Sequence, residues 1–360
     1  MTFAVSLDDG ALEYSGSGFA GVFAQKRNLV SPRFWSMLRD TVRFYRNAPS
    51  EVAQVGLESL GDYLDRRNYG EAFREDHLYP MAAAVWSLPA NSVKDYPASA
   101  FVNFCQNHGL LNLTGRPVWR TVDGGSRLYV QKLCDPIRSG LNLNAQVRSI
   151  VRRQGGVVIH TDAGPPQFFE SVVIGAHADE ALAMIDEPTS DERRLLGAFR
   201  YSRNAAVLHS DPALMPKRRS VWSSWNYRAD RADPAAPMSV TYWMNRLQGI
   251  PDTCPRFVTL NPAREPSGDL TFHKQTYEHP IFDAAAIGAQ GRLWSLQGVG
   301  GVWYCGAYFG AGFHEDGLQA GLAVAEALGG VRRPWRVANE SGRIKIGAIR
   351  QGRPLATAVA

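Results

Sequence analysis

Long apolar runs are missing from this 360-residue sequence. No stretch approaches the roughly 20 apolar residues that a membrane-spanning helix needs. The N-terminus, Met1–Ser6, also lacks the basic stretch followed by an apolar core that marks a secretory signal. We therefore expect a soluble, cytoplasmic protein with at most peripheral membrane contact.

Cysteine and lysine are also scarce. The four cysteines, Cys105, Cys134, Cys254 and Cys305, show neither C-x-x-C pairs nor Cys/His metal spacing. This excludes the common zinc motifs and a disulfide framework, so we expect buried, reduced thiols and no metal site. The net charge of +5 is carried mostly by arginine. This charge is too small to identify an anionic partner, and we expect no binding of nucleic acid.

The composition is that of an ordinary globular protein, 45% hydrophobic and 20% charged. The predicted secondary structure changes along the chain. Residues 3–7 and 11–15 alternate around Asp8–Asp9–Gly10 and predict a hairpin. The spacing predicts helices over 32–48 and around 58–66, 69–75 and 97–108. Strand-like runs follow at 157–160, 168–174, 205–208, 220–226 and 238–244. This alternation predicts two domains connected by a chain that crosses between them more than once.

A glycine motif near the N-terminus, Gly16-x-Gly18-x-x-Gly21, matches the dinucleotide-binding fingerprint by letter. The preceding strand is short and polar, and no acidic strand end follows about twenty residues later. We interpret the motif as a glycine turn and not as a nucleotide site.

Two further glycine segments do not by themselves show whether they bind a ligand. Gly124–Gly125 precede a helical pattern that runs to Leu133, and a strand over 145–150 follows. The pair fits either a tight turn or a ligand loop. Gly175–Ala176 end the strand pattern 171–174, which alone is a weak signal.

Residues 301–321 are the most informative segment: a buried strand, a glycine loop and a small-residue helix. Glycine lets a ligand approach the backbone, and a helix N-terminus presents free N–H groups. Asp316 and Gln319 predict a capping box, with the helix starting close to Asp316. Gly317, Gly321 and Ala325 predict a thin face for close packing. His314–Glu315 is either an acid–base pair or a structural hydrogen-bonded pair.

The order of these pieces resembles the flavin-dependent amine oxidase and phytoene desaturase superfamily. The resemblance covers about residues 1–333 and is closest to bacterial FAD-dependent oxidoreductases of unknown substrate. It rests on the Gly–Gly segment, the Val147 strand, Val–Val–Ile–Gly–Ala and the terminal glycine helix. It also rests on four shorter hallmarks: His209–Ser210–Asp211, Trp222–Tyr227, Thr241–Gln248 and His314–Gly317.

The resemblance implies FAD as cofactor and assigns residues to it. Val147 would place its backbone against the adenine, and Gly175–Ala176 would line the ADP half. Gly306–Ala307 would approach the pyrophosphate and ribityl chain, and Gly124–Gly125 would stand near the flavin. Asp316 and Gly317 would lie at the isoalloxazine, where the helix dipole favours an anionic ring.

The resemblance also implies an α/β fold: a Rossmann-like, three-layer FAD-binding domain interwoven with a mixed α+β substrate domain. The expected substrate domain covers 1–117 and 191–290, and the FAD-binding domain covers 118–190 and 291–334. A C-terminal tail covers 335–360. Compared with a complete family member, something like 80 residues holding the first βαβ unit and its GxGxxG are missing before Met1. We expect either a truncated gene model or a polypeptide that lacks this unit.

The expected function is hydride transfer from a largely apolar substrate, a fatty-acyl compound or an amine, to flavin N5. No lysine maps to the position that amine oxidases use near N5, since Lys274 lies in another segment. The catalytic residues therefore stay unassigned. Several aromatic residues are candidates for either core packing or a lipid-binding wall: Trp86, Trp222, Trp225, Tyr227, Tyr242 and Trp243. The alternative function is a non-catalytic remnant that binds a lipid or a protein and holds no FAD.

Overall fold

The computed structural model of the chain describes residues 2–52, 56, 58–86, 93–115, 118–231 and 239–347. The strands are β1 Phe3–Leu7, β2 Leu12–Ser15, β3 Val147–Arg153, β4 Gly156–Thr161, β5 Gly164–Phe169, β6 Val172–Ile174, β7 Arg200–His209, β8 Trp225–Ala229, β9 Ser239–Trp243, β10 Phe257–Leu260, β11 Thr271–Ile281 and β12 Val302–Tyr304. The α-helices are α1 Phe19–Val22, α2 Pro32–Glu51, α3 Leu60–Arg66, α4 Glu71–Phe73, α5 Tyr79–Trp86, α6 Ala98–Asn107, α7 Ser126–Cys134, α8 Ala178–Met184, α9 Ser190–Leu196, α10 Met244–Gln248, α11 Ala284–Gln290 and α12 His314–Ala327. A π-helical turn, Arg74–Leu78, joins α4 to α5.

The described residues form two compact units, and the chain enters each of them twice. Unit 1 comprises Met1–Pro136 and Ser202–His279, and unit 2 comprises Ile137–Tyr201 and Pro280–Ala360. Residues 118–136, which include Gly124 and Gly125, are grouped with unit 1, and 191–201 and 280–290 with unit 2. Part of the expected tail, 348–360, lies outside the described residues.

Unit 1 is built on a seven-stranded mixed sheet in the order β11-β7-β10-β9-β8-β1-β2. β1 runs parallel to β8 and antiparallel to β2. The predicted hairpin is confirmed, and its turn residues Asp8, Asp9 and Gly10 all have positive φ. Ser31 caps α2 by accepting a hydrogen bond from the Phe34 amide, and Pro32 fits the first helical position.

Helix α2 contributes its buried face to an aromatic core. The Phe44 ring lies 5.4–6.2 Å from the rings of Tyr63, Tyr69, Phe73 and Phe101. Aromatic side chains of this size contribute much of the apolar area that a core buries. Helices α2, α3, α4 and α6 are therefore held together by aromatic packing.

Unit 2 contains two small sheets, the antiparallel β3-β4-β5 and the parallel pair β12-β6. The sequence predicts one strand over 168–174, and that prediction is wrong. Phe168 pairs with Val158 in the first sheet, whereas Val172 pairs with Val302 in the second. The chain changes sheets at Glu170–Ser171, where no glycine or proline marks the break.

Other local predictions are also corrected. The predicted strand 220–226 begins as a 3-10 turn, Arg219–Val221, and becomes a strand only at Trp225. The predicted helix 69–75 is the short α4 followed by the π turn. Among the four cysteines only Cys105 is fully buried, and Cys254 is exposed.

Candidate functional site

The parallel pairing of β6 and β12 brings two loops to one sheet edge in unit 2. Ile174 pairs with Tyr304, so Gly175–Ala176 and Cys305–Gly306 leave the carboxyl ends of neighbouring strands. Ligands of open α/β sheets bind at such carboxyl ends. Whether a ligand can bind at this edge depends on how closely it can approach the backbone of the two loops.

Glycines keep this edge open, and we call Gly175–Ala176, Gly306–Ala307 and Gly317 the glycine cradle. A Cβ atom on Gly306 would lie 2.7 Å from Tyr308 Cε1 and 3.7 Å from the Ala176 carbonyl oxygen. A Cβ atom on Gly317 would lie 3.6 Å from the Ala307 amide nitrogen. The structure therefore brings these three predicted segments close together at the carboxyl end of the strand pair.

The terminal helix α12 begins at His314, two residues before the predicted start. Asp316 is its third residue and is fully buried. Its carboxylate accepts hydrogen bonds from the Ala311 amide at 3.0 Å and the Phe313 amide at 2.8 Å. Asp316 therefore holds the loop before the helix, which is a positioning role.

The predicted capping box between Asp316 and Gln319 is wrong. Gln319 instead donates to Glu315 Oε1 at 2.8 Å and accepts from the Arg343 amide at 3.1 Å. Arg343 also donates from Nε to Asp316 Oδ1 at 2.6 Å. Sequence reasoning missed Arg343 because it lies in a weakly patterned segment. Its charge compensates the Asp316 carboxylate, so the positive end of the α12 dipole is preserved for an anion.

The predicted face of small residues on α12 is not the side of the helix that packs against the rest of the unit. Ala325 is exposed, and a Cβ atom on Gly321 would meet no heavy atom within 4 Å. The buried face consists instead of Asp316, Gln319, Ala320, Ala323 and Val324. Of the pair His314–Glu315, Glu315 accepts from Gln319 and both side chains are exposed.

The remaining predicted residues lie elsewhere in their units. Val147 begins β3 in unit 2, where it pairs with Thr161 and is half-buried. Gly124 and Gly125 belong to unit 1, with φ values of 75° and 85°, and Gly125 immediately precedes α7. Positive φ explains why glycine is needed at both positions.

A buried charge cluster beneath the cradle was not predicted. Tyr304, in β12, donates a hydrogen bond to Glu192 Oε1 at 2.5 Å, and Arg152 forms an ion pair with the same oxygen. Burial alone would raise the pKa of Glu192, but the bonds from Tyr304 and the Thr189 amide, with the Arg152 charge, hold it below its usual range. The cluster ties β3, α9 and β12 together. In the sequence, Glu192 is recognisable only as part of a T-x-x-E capping box that begins at Thr189. That pattern predicts where the helix starts, but it does not predict that the Glu192 side chain is buried.

The hallmark residues of unit 1 form a buried polar network on the sheet. His209 Nε2 lies 2.7 Å from Thr259 Oγ1, which lies 2.8 Å from Thr241 Oγ1. Asn226 donates from its side-chain amide to the Thr241 carbonyl oxygen at 3.0 Å. Burial lowers the pKa of His209, so the imidazole stays neutral. These residues satisfy one another and therefore support the sheet.

A cavity of about 550 Å³ lies within unit 1, between the β2-β1-β8 end of the sheet and helices α2 and α5. Its apolar wall includes Phe3, Val22, Met37, Leu38, Met81 and Trp225. The volume falls within the roughly 300–1,000 Å³ of small-molecule sites. Gly16 and Gly18 also line it; β2 before them is an antiparallel edge strand, and Gly18 precedes the short helix α1, which contains Gly21. That this motif binds no nucleotide stays a prediction.

Of the six candidate wall aromatics, Trp225 lines this cavity. Trp222 instead packs edge-on against Trp243, and Tyr227 is buried. The Trp86 side chain lies outside the described residues. Lys274, the lysine considered for flavin N5, forms an ion pair with Glu265.

The described residues contain neither a metal-binding cluster nor a membrane-spanning helix. No group of three or more histidine, cysteine or acidic residues there is arranged to hold a metal ion. No helix in that part of the chain is both long and apolar enough to span a membrane.

Comparison with known proteins gives likeness in structure alone. No protein-family profile matches the sequence, and no curated protein does. The CLA-producing fatty acid isomerase from P. acnes is 13% identical with a TM-score of 0.56, over 85% of this chain and 74% of that one. Putrescine oxidase bound to putrescine is 14% identical with a TM-score of 0.59, over 91% and 80%. Cyclohexylamine oxidase from Brevibacterium oxydans is 15% identical with a TM-score of 0.52, over 91% and 81%.

At such identities a likeness establishes the fold, and several oxidases share it with this chain. The α/β fold class and the resemblance read from the sequence are thereby confirmed at the level of the fold. The chain shares its fold with the fatty acid isomerase and with these two amine oxidases.

Proposed function

We propose that this chain is an FAD-dependent oxidoreductase that takes a hydride from a largely apolar substrate. The observation that carries the proposal is the glycine cradle, where Ala176, Gly306, Ala307 and Gly317 converge at the carboxyl edge of a parallel strand pair. The superfamily fold supports it, because flavin enzymes share that fold. The apolar cavity of unit 1 supports the substrate class.

In this proposal the cradle residues hold the cofactor through their backbone. Gly175–Ala176 line the ADP half, Gly306–Ala307 approach the pyrophosphate and ribityl chain, and Val147 faces the adenine. Gly317 would lie near the flavin ring, with Asp316 positioning the loop before α12. The placement of Gly124–Gly125 near the flavin stays a prediction from the sequence. The flavin supplies the hydride acceptor, atom N5.

The protein residues contribute position and electrostatics to this chemistry. The α12 N-terminus favours negative charge nearby, and Arg343 prevents Asp316 from cancelling that effect. An apolar cavity binds substrate by excluding water. Neither contribution requires a side chain that accepts or donates a proton.

The test is the flavin content of the purified chain. We expect a yellow protein that releases FAD on denaturation and whose colour bleaches on anaerobic addition of substrate. The matched variants are Gly306→Val, which blocks the cradle, and Gly288→Ala, where a Cβ atom meets nothing within 4 Å. Only the first should lose flavin.

A colourless, folded protein that gains no flavin on reconstitution would contradict the proposal. It would support the alternative of a lipid- or protein-binding protein that holds no FAD. Quenching by a nicotinamide nucleotide that Gly18→Val abolishes would also contradict the assignment, because it would place the nucleotide at Gly16–Gly21.

A further inference from the structure

An exposed apolar patch lies on unit 1, between the end of strand β2 and the first turn of helix α2. Phe19 is 73% exposed, Val30 82% and Trp35 50%. Single apolar side chains in water are ordinary, but a contiguous group of them marks an interaction surface. We call this group the aromatic patch, and its members are Phe19, Phe23, Leu29, Val30 and Trp35.

Ring contacts and one hydrogen bond make the aromatic patch contiguous. The centre of the Phe23 ring lies 4.7 Å from that of Phe19 and 5.4 Å from that of Trp35. Trp35 Nε1 donates to the Leu29 carbonyl oxygen at 2.9 Å, and Val30 follows Leu29 in the chain. Because the indole N–H already has an acceptor, the ring can enter an apolar medium without leaving a buried donor unsatisfied.

Positive charge surrounds the aromatic patch. Residues 14–39 include lysine and arginine but neither aspartate nor glutamate. Lys26 and Arg27 begin the 3-10 turn that ends with the last two aliphatic members of the patch, and both are exposed. Arg39 lies one helical turn after Trp35 on the same face of α2 and is also exposed. An apolar surface with cations at its edge is complementary to an anionic phospholipid surface.

Ion pairs limit which of these charges are available to a partner. Arg33 forms a salt bridge with Asp76. Arg39 Nε lies 3.5 Å from Oδ1 of Asp40, a buried carboxylate. The two cations of the 3-10 turn therefore contribute most of the positive charge at the patch.

The unit 1 cavity reaches the surface at the aromatic patch. Four residues both line the cavity and are exposed: Gly16, Gly18, Trp35 and Leu113. Val22 lines it too, in the short helix α1 that begins with Phe19. An apolar ligand that left a bilayer at this surface would therefore enter an apolar space without crossing water.

Helix α7 is a second exposed apolar surface of unit 1, and it differs in both respects. Asp123 and Asp135 flank it, so its cations have carboxylates close by in the chain. All nine of its residues, Ser126–Cys134, are described, and none of them lines the cavity. Helix α7 therefore serves as the control surface for the experiments.

We propose that the aromatic patch and the 3-10 turn Lys26–Val30 dock unit 1 on a bilayer that contains anionic phospholipid. The apolar side chains enter the boundary between headgroups and acyl chains, and Lys26 and Arg27 contact lipid phosphates. A lipid surface fits better than a protein because the patch continues into an apolar cavity. This docking goes beyond the proposed oxidoreductase activity and does not require it.

The experiment is cosedimentation of the purified full chain with vesicles. One set contains phosphatidylcholine mixed with phosphatidylglycerol, and the other contains phosphatidylcholine alone. We expect binding to the mixed vesicles to be at least about tenfold tighter and to weaken with added salt, which screens exposed charges. Equal binding to both sets, or no binding to the mixed vesicles, would overturn the proposal.

Lys26→Gln combined with Arg27→Gln tests the charges of the 3-10 turn. A cation near an anionic surface contributes about fivefold in affinity, so the double variant should bind mixed vesicles roughly 25-fold more weakly. The matched control, Arg127→Gln combined with Lys132→Gln, removes the same charge from α7 and should weaken binding less than about twofold. Equal weakening by the two double variants would show that net charge and not this surface binds the lipid.

Phe19→Ser tests insertion of the patch. We expect binding to mixed vesicles to weaken about tenfold, because the phenyl ring no longer leaves water. Leu133→Ser, on α7, is the control and should leave binding unchanged, since that side chain is also largely exposed. Equal loss of binding in both variants would contradict docking through the aromatic patch.

Tryptophan quenching by phospholipids with brominated acyl chains reports which ring enters the bilayer. Trp35→Phe should lose part of the quenching seen with the unchanged chain. Trp335→Phe removes a ring of similar exposure from unit 2 and should retain it. Undiminished quenching in Trp35→Phe would overturn the proposed insertion.

These measurements do not depend on flavin. A colourless protein that binds mixed vesicles through Phe19 and Lys26 would contradict the proposed oxidoreductase and support the docking surface. A yellow protein that stays in the supernatant would do the reverse. A dimer that Phe19→Ser dissociates, without vesicle binding, would assign the patch to a second copy of the chain and overturn the proposal.

Discussion

At the scale of single residues, unit 2 depends on one buried carboxylate. Glu192 has a side chain 1% exposed and is held by Tyr304, Arg152 and the Thr189 amide. Removing one partner of a buried charge is costlier than the bond itself, because the charge stays buried without compensation. Tyr304 therefore stabilises unit 2 through its hydroxyl as well as its ring.

Tyr304→Phe should lower the free energy of unfolding by about 1.5–3 kcal/mol at neutral pH. The folded-state pKa of Glu192 lies below its usual 4.5, so its contribution is present above that pH and is lost as pH falls through the folded pKa. The variant raises that folded pKa, so its deficit should shrink in acid. Denaturant melts across this pH range measure both effects.

The control for this substitution is Tyr277→Phe, whose ring is 54% exposed. It should change stability by less than about 0.5 kcal/mol. A deficit of Tyr304→Phe that stays constant down to the acid transition would contradict the role assigned to Glu192.

Gly306 is the residue whose backbone most constrains the cradle. Its φ of 154° is rarely adopted by residues with a side chain, and a Cβ atom there would overlap the Tyr308 ring. Gly306→Val should cost roughly 1–3 kcal/mol in thermal unfolding. Gly288→Ala, inside α11 with open space around it, should be neutral or stabilising by up to about 1 kcal/mol. Equal melting temperatures for the two variants would show that a side chain at residue 306 causes no backbone strain.

At the scale of elements, the N-terminus of α12 is fixed by the ion pair between Asp316 and Arg343. Arg343 is 23% exposed, whereas Asp316 is fully buried, so the pair is shielded from solvent on one side. The carboxylate also accepts two loop amides, which joins the loop 310–313 to the helix. The position of the helix end therefore depends on both charges.

A double-mutant cycle with Asp316→Asn and Arg343→Met measures this dependence. We expect the single changes to be non-additive, with a coupling free energy of about 0.5–3 kcal/mol. The exposed pair Arg148–Asp162 is the comparison and should show much weaker coupling, because water screens it. Additive effects of the two α12 changes would show that Arg343 is dispensable for the helix end.

At the scale of the whole molecule, a bound cofactor should raise the free energy of unfolding. A ligand that binds only the folded state adds RT ln(1 + [L]/Kd), about 2.7 kcal/mol at a hundredfold excess over Kd. We expect FAD to raise the unfolding temperature and riboflavin, which lacks the ADP half, to raise it much less. Gly306→Val should remove the difference. An equal shift with both compounds would contradict binding through the cradle.

Local patterns in the sequence were enough to predict several elements and the fold class. The hairpin at Asp8–Gly10 and the helix predicted over 32–48 both follow from interactions between near neighbours in sequence. Those interactions depend on turn geometry, side-chain caps and periodicity. The α/β fold class could be predicted for the same reason.

Contacts between distant residues decided the rest. The Asp316–Arg343 pair, the burial of Glu192 beneath Tyr304 and the meeting of His77 with Tyr14 and Tyr45 join residues 27 to 112 positions apart. No local pattern encodes such a pairing, because it arises only when helices and strands pack. The sequence by itself thus determined several of the elements and the hairpin turn at Asp8–Gly10. Only the tertiary structure decided which charges are buried and paired, and where the cavity of unit 1 lies.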